Sequence, residues 1–171
     1  MNCIDAILSR RSIRRYTDQH VSEEMVDTML KSAMYAPSAV NKQPWHFIVV
    51  RDKKKFEDII DVHPNSKMLM DADMAIVVCI DTVQQHDDGY GIQDCSAATQ
   101  NILLTAHELG LGAVWLGIFP REKRMEAVKR IFQLPSHIQP FAMISIGFPD
   151  ETKTAFNRFD KTKIHYESWN E

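Results

Sequence analysis

Four arginines stand close together near the start of the chain, in the stretch SRRSIRRYT at residues 9–17. They are Arg10, Arg11, Arg14 and Arg15, and Ser12 lies among them. Alternate side chains of an extended segment face the same way, which would put Arg10, Ser12 and Arg14 on one face. Two guanidinium groups beside a hydroxyl can bind a phosphate or another planar anion through paired, charge-assisted hydrogen bonds. A solvated run of charge is the alternative interpretation, and the charges alone leave both open.

A second stretch with candidate binding residues is the loop PSAVNKQPW at residues 37–45. Its prolines, Ser38 and Asn41 are typical of turns, and Trp45 could simply belong to the core. Taken alone, the loop is therefore ambiguous. One amphipathic helix separates it from the arginine stretch, and the two segments together are more specific than either one.

Other catalytic and metal-binding motifs are missing from the sequence. There is no P-loop, no HExxH and no GxSxG, and Gly110, Gly112 and Gly117 do not complete a dinucleotide-binding GxGxxG. The seven histidines are scattered, and the three cysteines are widely spaced with no CxxC pair. We therefore predict no metal site and assign no catalytic side chain.

Length and composition indicate one globular domain with the usual proportions of hydrophobic and charged residues. The chain has 171 residues, 44% of them hydrophobic and 25% charged. The formal net charge of -3 argues against a protein that coats nucleic acid or membranes, so the positive patch is local. No apolar run approaches the roughly 20 residues that span a bilayer, and the first residues carry no apolar leader. We expect a cytoplasmic protein with no nucleic-acid or membrane partner.

Hydrophobic spacing predicts the elements that must position the two stretches. We predict helices at 3–10, from the N-cap Ser22 to a point before Pro37, and at 53–60, 92–109 and 123–132, with a helical turn at 67–71. Buried strands are predicted at 46–52, 74–81, 113–119 and 141–149. The connections vary in length and no regular βαβ alternation emerges, which favours the α+β class.

With both stretches and their elements in place, the sequence resembles the FMN-dependent nitroreductase family. The residues that carry the resemblance are RRSIRRY (10–16), APSAVNKQPWHFIVV (36–50), KMLMDADMAIVVC (67–79), GLGAVWLGIF (110–119) and RFDKTKIHYESW (158–169). The resemblance implies one FMN-binding domain over residues 1–171, an α+β sandwich with a mostly antiparallel sheet flanked by helices. It also implies an intertwined homodimer with FMN at the subunit interface. Because the tail at 150–171 carries isolated aromatic residues, we expect it to dock on the partner subunit.

The resemblance also assigns residues to the phosphate end of FMN. Arg10, Arg11 and Ser12 match the family's phosphate and ribityl site, and Arg158 matches a basic residue of the C-terminal tail on the phosphate. Arg14 matches the position from which a basic side chain reaches the N1/O2 edge of the flavin. On the face opposite Arg10 we expect Arg11 to make a backbone or edge contact with the cofactor. We expect Arg15 to face solvent or form a salt bridge.

Further residues are assigned to the flavin ring. The loop residues that match the approach from the other subunit are Pro37, Ser38, Ala39 and Asn41. Asn65 and Lys67 match polar contacts to the pyrimidine side, and Leu116 and Gly117 match positions that offer backbone groups near flavin N5.

The implied function is that of an FMN-dependent NAD(P)H oxidoreductase. NADH or NADPH as co-substrate would reduce tightly bound FMN at N5, and a nitroaromatic, quinone or similar small acceptor would then be reduced in a ping-pong hydride transfer. The alternative is a flavin-binding family member with another redox reaction, such as dehalogenation, flavin fragmentation or ring dehydrogenation. A non-enzymatic dimer that binds polyanions is a remote alternative. Because the segment at 82–91 is shorter than in long family members, we expect a more open pocket.

Overall fold

Within the residues that the computed structural model describes, 2–87 and 89–169, four strands form one antiparallel sheet in the order β1-β2-β4-β3. The strands are β1 (Trp45–Val50), β2 (Met74–Asp81), β3 (Gly112–Gly117) and β4 (Ile138–Gly147). The helices are α1 (Cys3–Ser9), α2 (Glu23–Met34), α3 (Lys53–Val62), α4 (Tyr90–Glu108) and α5 (Glu122–Ile131). Short 3-10 turns lie at Ala39–Asn41, Lys67–Met70 and Lys161–Lys163. The predicted α+β class is confirmed.

Strand β2 is buried on both faces, as its continuous apolar sequence predicted. Its alternate side chains enter two separate cores. The core that includes residues of α2 and α4 receives Ile76, Val78 and Ile80. The core that includes residues of α3 and α5 receives Ala75, Val77 and Cys79. Helices therefore cover both faces of the sheet, and the ends of its strands remain available for a site.

Local signals place most helices close to their predicted positions. Ser22 caps α2, since its side chain accepts a hydrogen bond from the Met25 N–H at 3.3 Å. Asp52 caps α3 by accepting from the Lys54 N–H at 2.9 Å. Because Asp52 serves as this cap, β1 ends at Val50 and not at residue 52 as predicted.

The last strand begins three residues before its predicted start at 141. Pro140 lies inside β4 opposite Cys79, and the register shifts between Val78 and Cys79. Proline has no N–H to donate to the ladder and is confined to edges and bulges, which is why the sequence pattern placed the start after it. The strand ends at Gly147, before Pro149.

The arginine stretch is extended, as predicted, and lies along the β3 side of the sheet. We call residues 10–17 the basic arm. Ser12 forms a parallel bridge with Ala113, and Tyr16 forms an antiparallel bridge with Pro149. A Cβ atom on Gly112 would lie 2.6 Å from Ile13 Cγ2, a distance that would force the arm to shift. Glycine at position 112 therefore permits the close approach of the arm.

No helix in the described part of the chain is long and apolar enough to cross a membrane. The same residues contain no group of three His, Cys, Asp or Glu that could hold a metal ion. The predicted loop at 82–91 includes Asp88, and the predicted tail includes Asn170 and Glu171; these positions lie outside the described residues.

Candidate functional site

A cavity of about 520 Å³ opens where the basic arm, the turn at Lys67–Met70 and the end of β3 meet. Five of the residues assigned from the sequence line it: Arg14, Asn65, Lys67, Leu116 and Gly117. The other lining residues are His63, Pro64, Met68, Trp115 and Arg124. The fold therefore brings together residues from three distant segments that the resemblance assigned to one cofactor.

The walls of this cavity are positively charged. Arg14, Lys67 and Arg124 contribute three cations, and none of the lining residues is a carboxylate. The whole chain, by contrast, has a formal net charge of -3. A cavity with this charge and several hydrogen-bond donors can accept a ligand that is anionic or rich in oxygen atoms.

The tail that follows β4 holds Arg14 in place. The Arg14 backbone N–H donates to Glu151 Oε1 of the tail at 2.5 Å, and Lys153 Nζ donates to the Ser12 carbonyl at 2.8 Å. Hydrogen bonding from the Arg14 N–H is the largest cause that lowers the pKa of Glu151. The neighbouring Arg15 is exposed and pairs with Asp150 at 3.6 Å, which agrees with its predicted turn towards solvent or a salt bridge.

A hydrogen-bonded turn carries Asn65 and Lys67 to the cavity. Ser66 is fully buried, and its N–H and hydroxyl both donate to the His63 carbonyl, at 3.0 and 2.6 Å. The turn therefore keeps its shape without help from Asn65 or Lys67, whose exposed side chains remain available to a ligand.

Arg124 connects the end of β3 to His63. Its Nη1 lies 2.7 Å from the Gly117 carbonyl oxygen, to which it donates, and 3.2 Å from His63 Nε2. The His63 side chain is buried, and burial followed by the charge of Arg124 lowers its pKa. The carbonyls of His63 and Gly117 oppose this shift without reversing it. His63 Nδ1 is buried and has no hydrogen-bond partner among the described residues.

A second group of cations lies at the start of the basic arm. Arg10 is half-buried, and burial together with the charges of Arg158 and Arg11 lowers its pKa. The Arg158 guanidinium stacks on Phe156, with its central carbon 4.7 Å from the ring centroid. In the described parts of the chain no carboxylate pairs with Arg10 or Arg158, and the Ser12 hydroxyl makes no hydrogen bond. These three groups are available to an anion.

Two residues beside this cation group already have partners. Arg11 donates from Nη1 to the carbonyls of Leu8 and Arg10, at 2.9 and 2.7 Å, and from Nε to the Thr154 carbonyl at 3.3 Å. His107 Nε2 lies 2.7 Å from Ser9 Oγ, and burial followed by the charge of Arg10 lowers its pKa. Arg11 therefore supports the arm through backbone carbonyls.

The loop residues Pro37, Ser38, Ala39 and Asn41 do not line the cavity of their own chain. The loop is nevertheless well ordered by hydrogen bonds. The buried Asp94 accepts from the Ala39 N–H at 3.0 Å, and Ser38 Oγ accepts from the Gln43 N–H at 3.0 Å. Val40 and Asn41 have φ angles of 49° and 55°, in the left-handed region that a β-branched residue rarely adopts.

Sequence reasoning missed His63, Arg124 and Asp94. A cation in the first turn of a helix opposes the helix dipole, so Arg124 at the start of α5 was a usable signal. His63 and Asp94 carried no local signal, because their importance depends on partners that are far away in sequence.

Comparison with known proteins identifies the family of the chain. The sequence model of the Nitroreductase family matches residues 7–63 and 56–148. A protein of Methanothermobacter thermautotrophicus, provisionally named NADH dehydrogenase/NAD(P)H nitroreductase, is 49% identical over 99% of this chain and 88% of its own length. The chain is an oxidoreductase by its relatives, and it belongs to the nitroreductase family.

Two solved structures share the whole fold. One, from Parabacteroides distasonis, is also provisionally named NADH dehydrogenase/NAD(P)H nitroreductase; it has a TM-score of 0.93 and 38% identity, covering 97% of this chain and 98% of the other. The FMN-dependent nitroreductase of Clostridium difficile R20291 has a TM-score of 0.90 and 35% identity, covering 97% and 99%. The predicted family is confirmed.

Proposed function

We propose that the protein is an FMN-dependent NAD(P)H oxidoreductase that reduces nitroaromatic compounds, quinones or similar small acceptors. The observation that carries this proposal is the cavity, where Arg14, Asn65, Lys67 and Gly117 meet although they come from three separate segments. All four were assigned to the same cofactor from the sequence. The names of the relatives described above agree with this activity.

The residues fit FMN at both of its ends. Arg10, Arg158 and the Ser12 hydroxyl offer unpaired donors for a phosphate dianion. Arg14 lies four residues further along the extended arm, about 13 Å at the rise of a strand. This separation suits a cofactor whose phosphate and polar ring are joined by a five-carbon chain.

When bound, FMN supplies hydride transfer between the nicotinamide co-substrate and the acceptor. Arg14 and Lys67 would hold positive charge at the pyrimidine edge, where a reduced flavin carries negative charge. Leu116 and Gly117 would offer backbone groups to the ring. One cavity then serves both substrates in turn, which is the basis for proposing ping-pong kinetics.

We also propose that the working form is a homodimer. Helix α1 exposes Ile4, Ile7 and Leu8, which are 62%, 48% and 66% exposed. The tail exposes Phe156, Phe159, Tyr166 and Trp169, each by more than 60%. Exposed apolar surface favours association, and the family resemblance assigns the loop at Pro37–Asn41 to the flavin site of a neighbouring chain. Sedimentation should give the mass of a dimer of 19.7 kDa chains, and a monomer at micromolar concentration would contradict this.

Binding and reduction of FMN test the main proposal. Purified protein should be yellow or take up added FMN, and the flavin colour should bleach when NADH or NADPH is added without oxygen. A protein that binds no FMN would contradict the proposal. Reduction by the nicotinamide without turnover of nitroaromatics or quinones would indicate another redox reaction.

A further inference from the structure

The tail that follows β4 contacts the basic arm at several closely spaced residues. Lys153 Nζ donates to the Ser12 carbonyl at 2.8 Å, and the Thr154 carbonyl accepts from Arg11 Nε at 3.3 Å. Two residues later the Phe156 ring lies against the same arginine, with the Arg11 central carbon 5.7 Å from the ring centroid. The tail thus brings an aromatic ring to the group of cations at the start of the arm.

The Phe156 ring contacts a second cation at the same time. The Arg158 central carbon lies 4.7 Å from the ring centroid. Both distances are within the about 6 Å over which a guanidinium is attracted to the face of an aromatic ring. Within the described chain Arg158 makes no hydrogen bond or ion pair, so the ring is the one group seen to attract its guanidinium.

Arg158 needs an attraction of this kind because it lies near another positive charge. After burial, the charge of Arg158 is the largest cause that lowers the pKa of Arg10. Like charges repel, and a long exposed side chain such as arginine has many other rotamers open to it. Arg11, by contrast, is fixed by three hydrogen bonds to backbone carbonyls. The Phe156 ring therefore links the Arg158 guanidinium to one whose position is already fixed.

We propose that Phe156 is a positioning residue that holds Arg158 beside Arg10 and thereby strengthens the discrimination of FMN from riboflavin. The inference rests on the proposed function, in which these two arginines bind the phosphate of FMN. The ring has no need to touch the cofactor. It keeps the guanidinium in place before the ligand arrives, so that less rotamer entropy is lost on binding. Riboflavin, which lacks the phosphate, gains nothing from this arrangement.

Substitutions of two exposed phenylalanines of the tail test the role of the ring. Phe156 and Phe159 are 65% and 67% exposed, and the Phe159 ring contacts no cation or other ring within the described chain. We expect Phe156→Leu to bind FMN about fivefold more weakly, the scale of an exposed cation–π contact, and to bind riboflavin as well as the unchanged protein does. Phe159→Leu is the matched control and should bind both flavins normally. Flavin fluorescence quenching measures the dissociation constants, and thermal melting checks that the variants fold.

Further variants show whether the ring acts through Arg158. Phe156→Tyr keeps the aromatic face and should bind FMN within about twofold of the unchanged protein. Arg158→Ala should weaken FMN binding on its own. Adding Phe156→Leu to Arg158→Ala should cause no further loss, because the guanidinium that the ring positions is then gone.

Unchanged FMN affinity in Phe156→Leu would overturn the inference, and so would an equal loss for FMN and riboflavin or an equal loss in Phe159→Leu. A further loss in the double variant, or a Phe156→Tyr variant as weak as Phe156→Leu, would also overturn it. Any of these results in a protein that binds FMN and is reduced by NADH or NADPH leaves the proposed function standing. A protein that binds no FMN would overturn both. If Phe156→Leu does not fold, Phe156→Met replaces it, since methionine keeps the apolar bulk without the ring.

Discussion

Arg10 carries its positive charge among other cations, without a carboxylate partner in the described chain. Its half-burial and the charges of Arg158 and Arg11 lower its pKa. An arrangement of this kind destabilises the folded protein unless an anion compensates, because like charges repel most strongly where water is excluded. We propose that the phosphate of FMN completes this group.

The substitution Arg10→Ala tests that explanation. It removes a charge-assisted hydrogen bond to the phosphate and should weaken FMN binding by about 1.5–3 kcal/mol. Fluorescence titration of FMN measures the loss, and Arg15→Ala is the control, since Arg15 is exposed and pairs with Asp150. Riboflavin should bind the Arg10→Ala variant as well as it binds the unchanged protein. Equal losses in the two variants would contradict the assignment.

Some single residues could be assigned from the sequence because they lie in motifs that carry the family resemblance. Arg14, Lys67 and Gly117 were assigned to one site from short motifs, and they line one cavity. The contact between His63 and Arg124 joins residues that are 61 positions apart, and the packing of α5 against α3 creates it. No period or motif in the sequence reports such a pair.

At the scale of elements, the position of the basic arm depends on the absence of a side chain at Gly112. Ile13 occupies the space that a side chain would need, and the Ile13 N–H donates to the Ala113 carbonyl at 3.1 Å. The next residue, Arg14, enters the cavity wall. Movement of the arm by even about one ångström would therefore displace both Arg10, at the proposed phosphate site, and Arg14, in the cavity wall.

Gly112→Ala should displace the arm. Its new Cβ would lie 2.6 Å from Ile13 Cγ2 and 2.9 Å from Ile13 Cβ. We expect a loss of about 1–3 kcal/mol in the free energy of unfolding, as for other overpacked sites, together with weaker FMN binding. Urea denaturation and FMN titration measure these effects. The double variant Gly112→Ala, Ile13→Ala should recover much of the FMN affinity; no recovery would show that the arm is not the element displaced.

The limits of a strand or helix could be predicted where a single feature, such as a continuous apolar run, dominates its sequence. Strand β2 was placed at its observed limits because it is apolar throughout. Strand β4 was predicted too short because of its internal Pro140, since the bulge at Phe141 that accommodates this proline depends on the pairing with β2. The bridges of the basic arm to Ala113 and Pro149 were not predicted at all, because they depend on sequence separations that local patterns do not encode.

At the scale of the whole molecule, the buried His63 and the partly buried His107 link stability to pH. Both pKa values, of His63 and of His107, lie below the ordinary histidine value of about 6.5, in both cases mainly through burial. The unfolded chain therefore binds more protons than the folded one between these lowered values and about pH 6.5. Stability should rise with pH through this window and be lost as pH falls through it.

The cofactor-free protein should accordingly have a lower free energy of unfolding at pH 5.5 than at pH 7.5. Urea denaturation at the two pH values measures the difference, and carboxylates titrate mainly below this interval. The double variant His63→Asn, His107→Asn should show a smaller difference. An unfolding free energy that is the same at both pH values in the unchanged protein would contradict the assignment of these two groups.

The loop at Pro37–Asn41 lies away from the cavity of its own chain, and this has a genetic consequence if the loop serves a second subunit. Arg10→Ala damages the arm, and Asn41→Val damages the loop, because valine is disfavoured at a φ of 55°. In a mixed dimer of these two variants, one site would combine both intact halves and the other both damaged halves. Differently tagged chains produced together should give about one FMN per mixed dimer. Two defective alleles would then partly complement each other in the same cell.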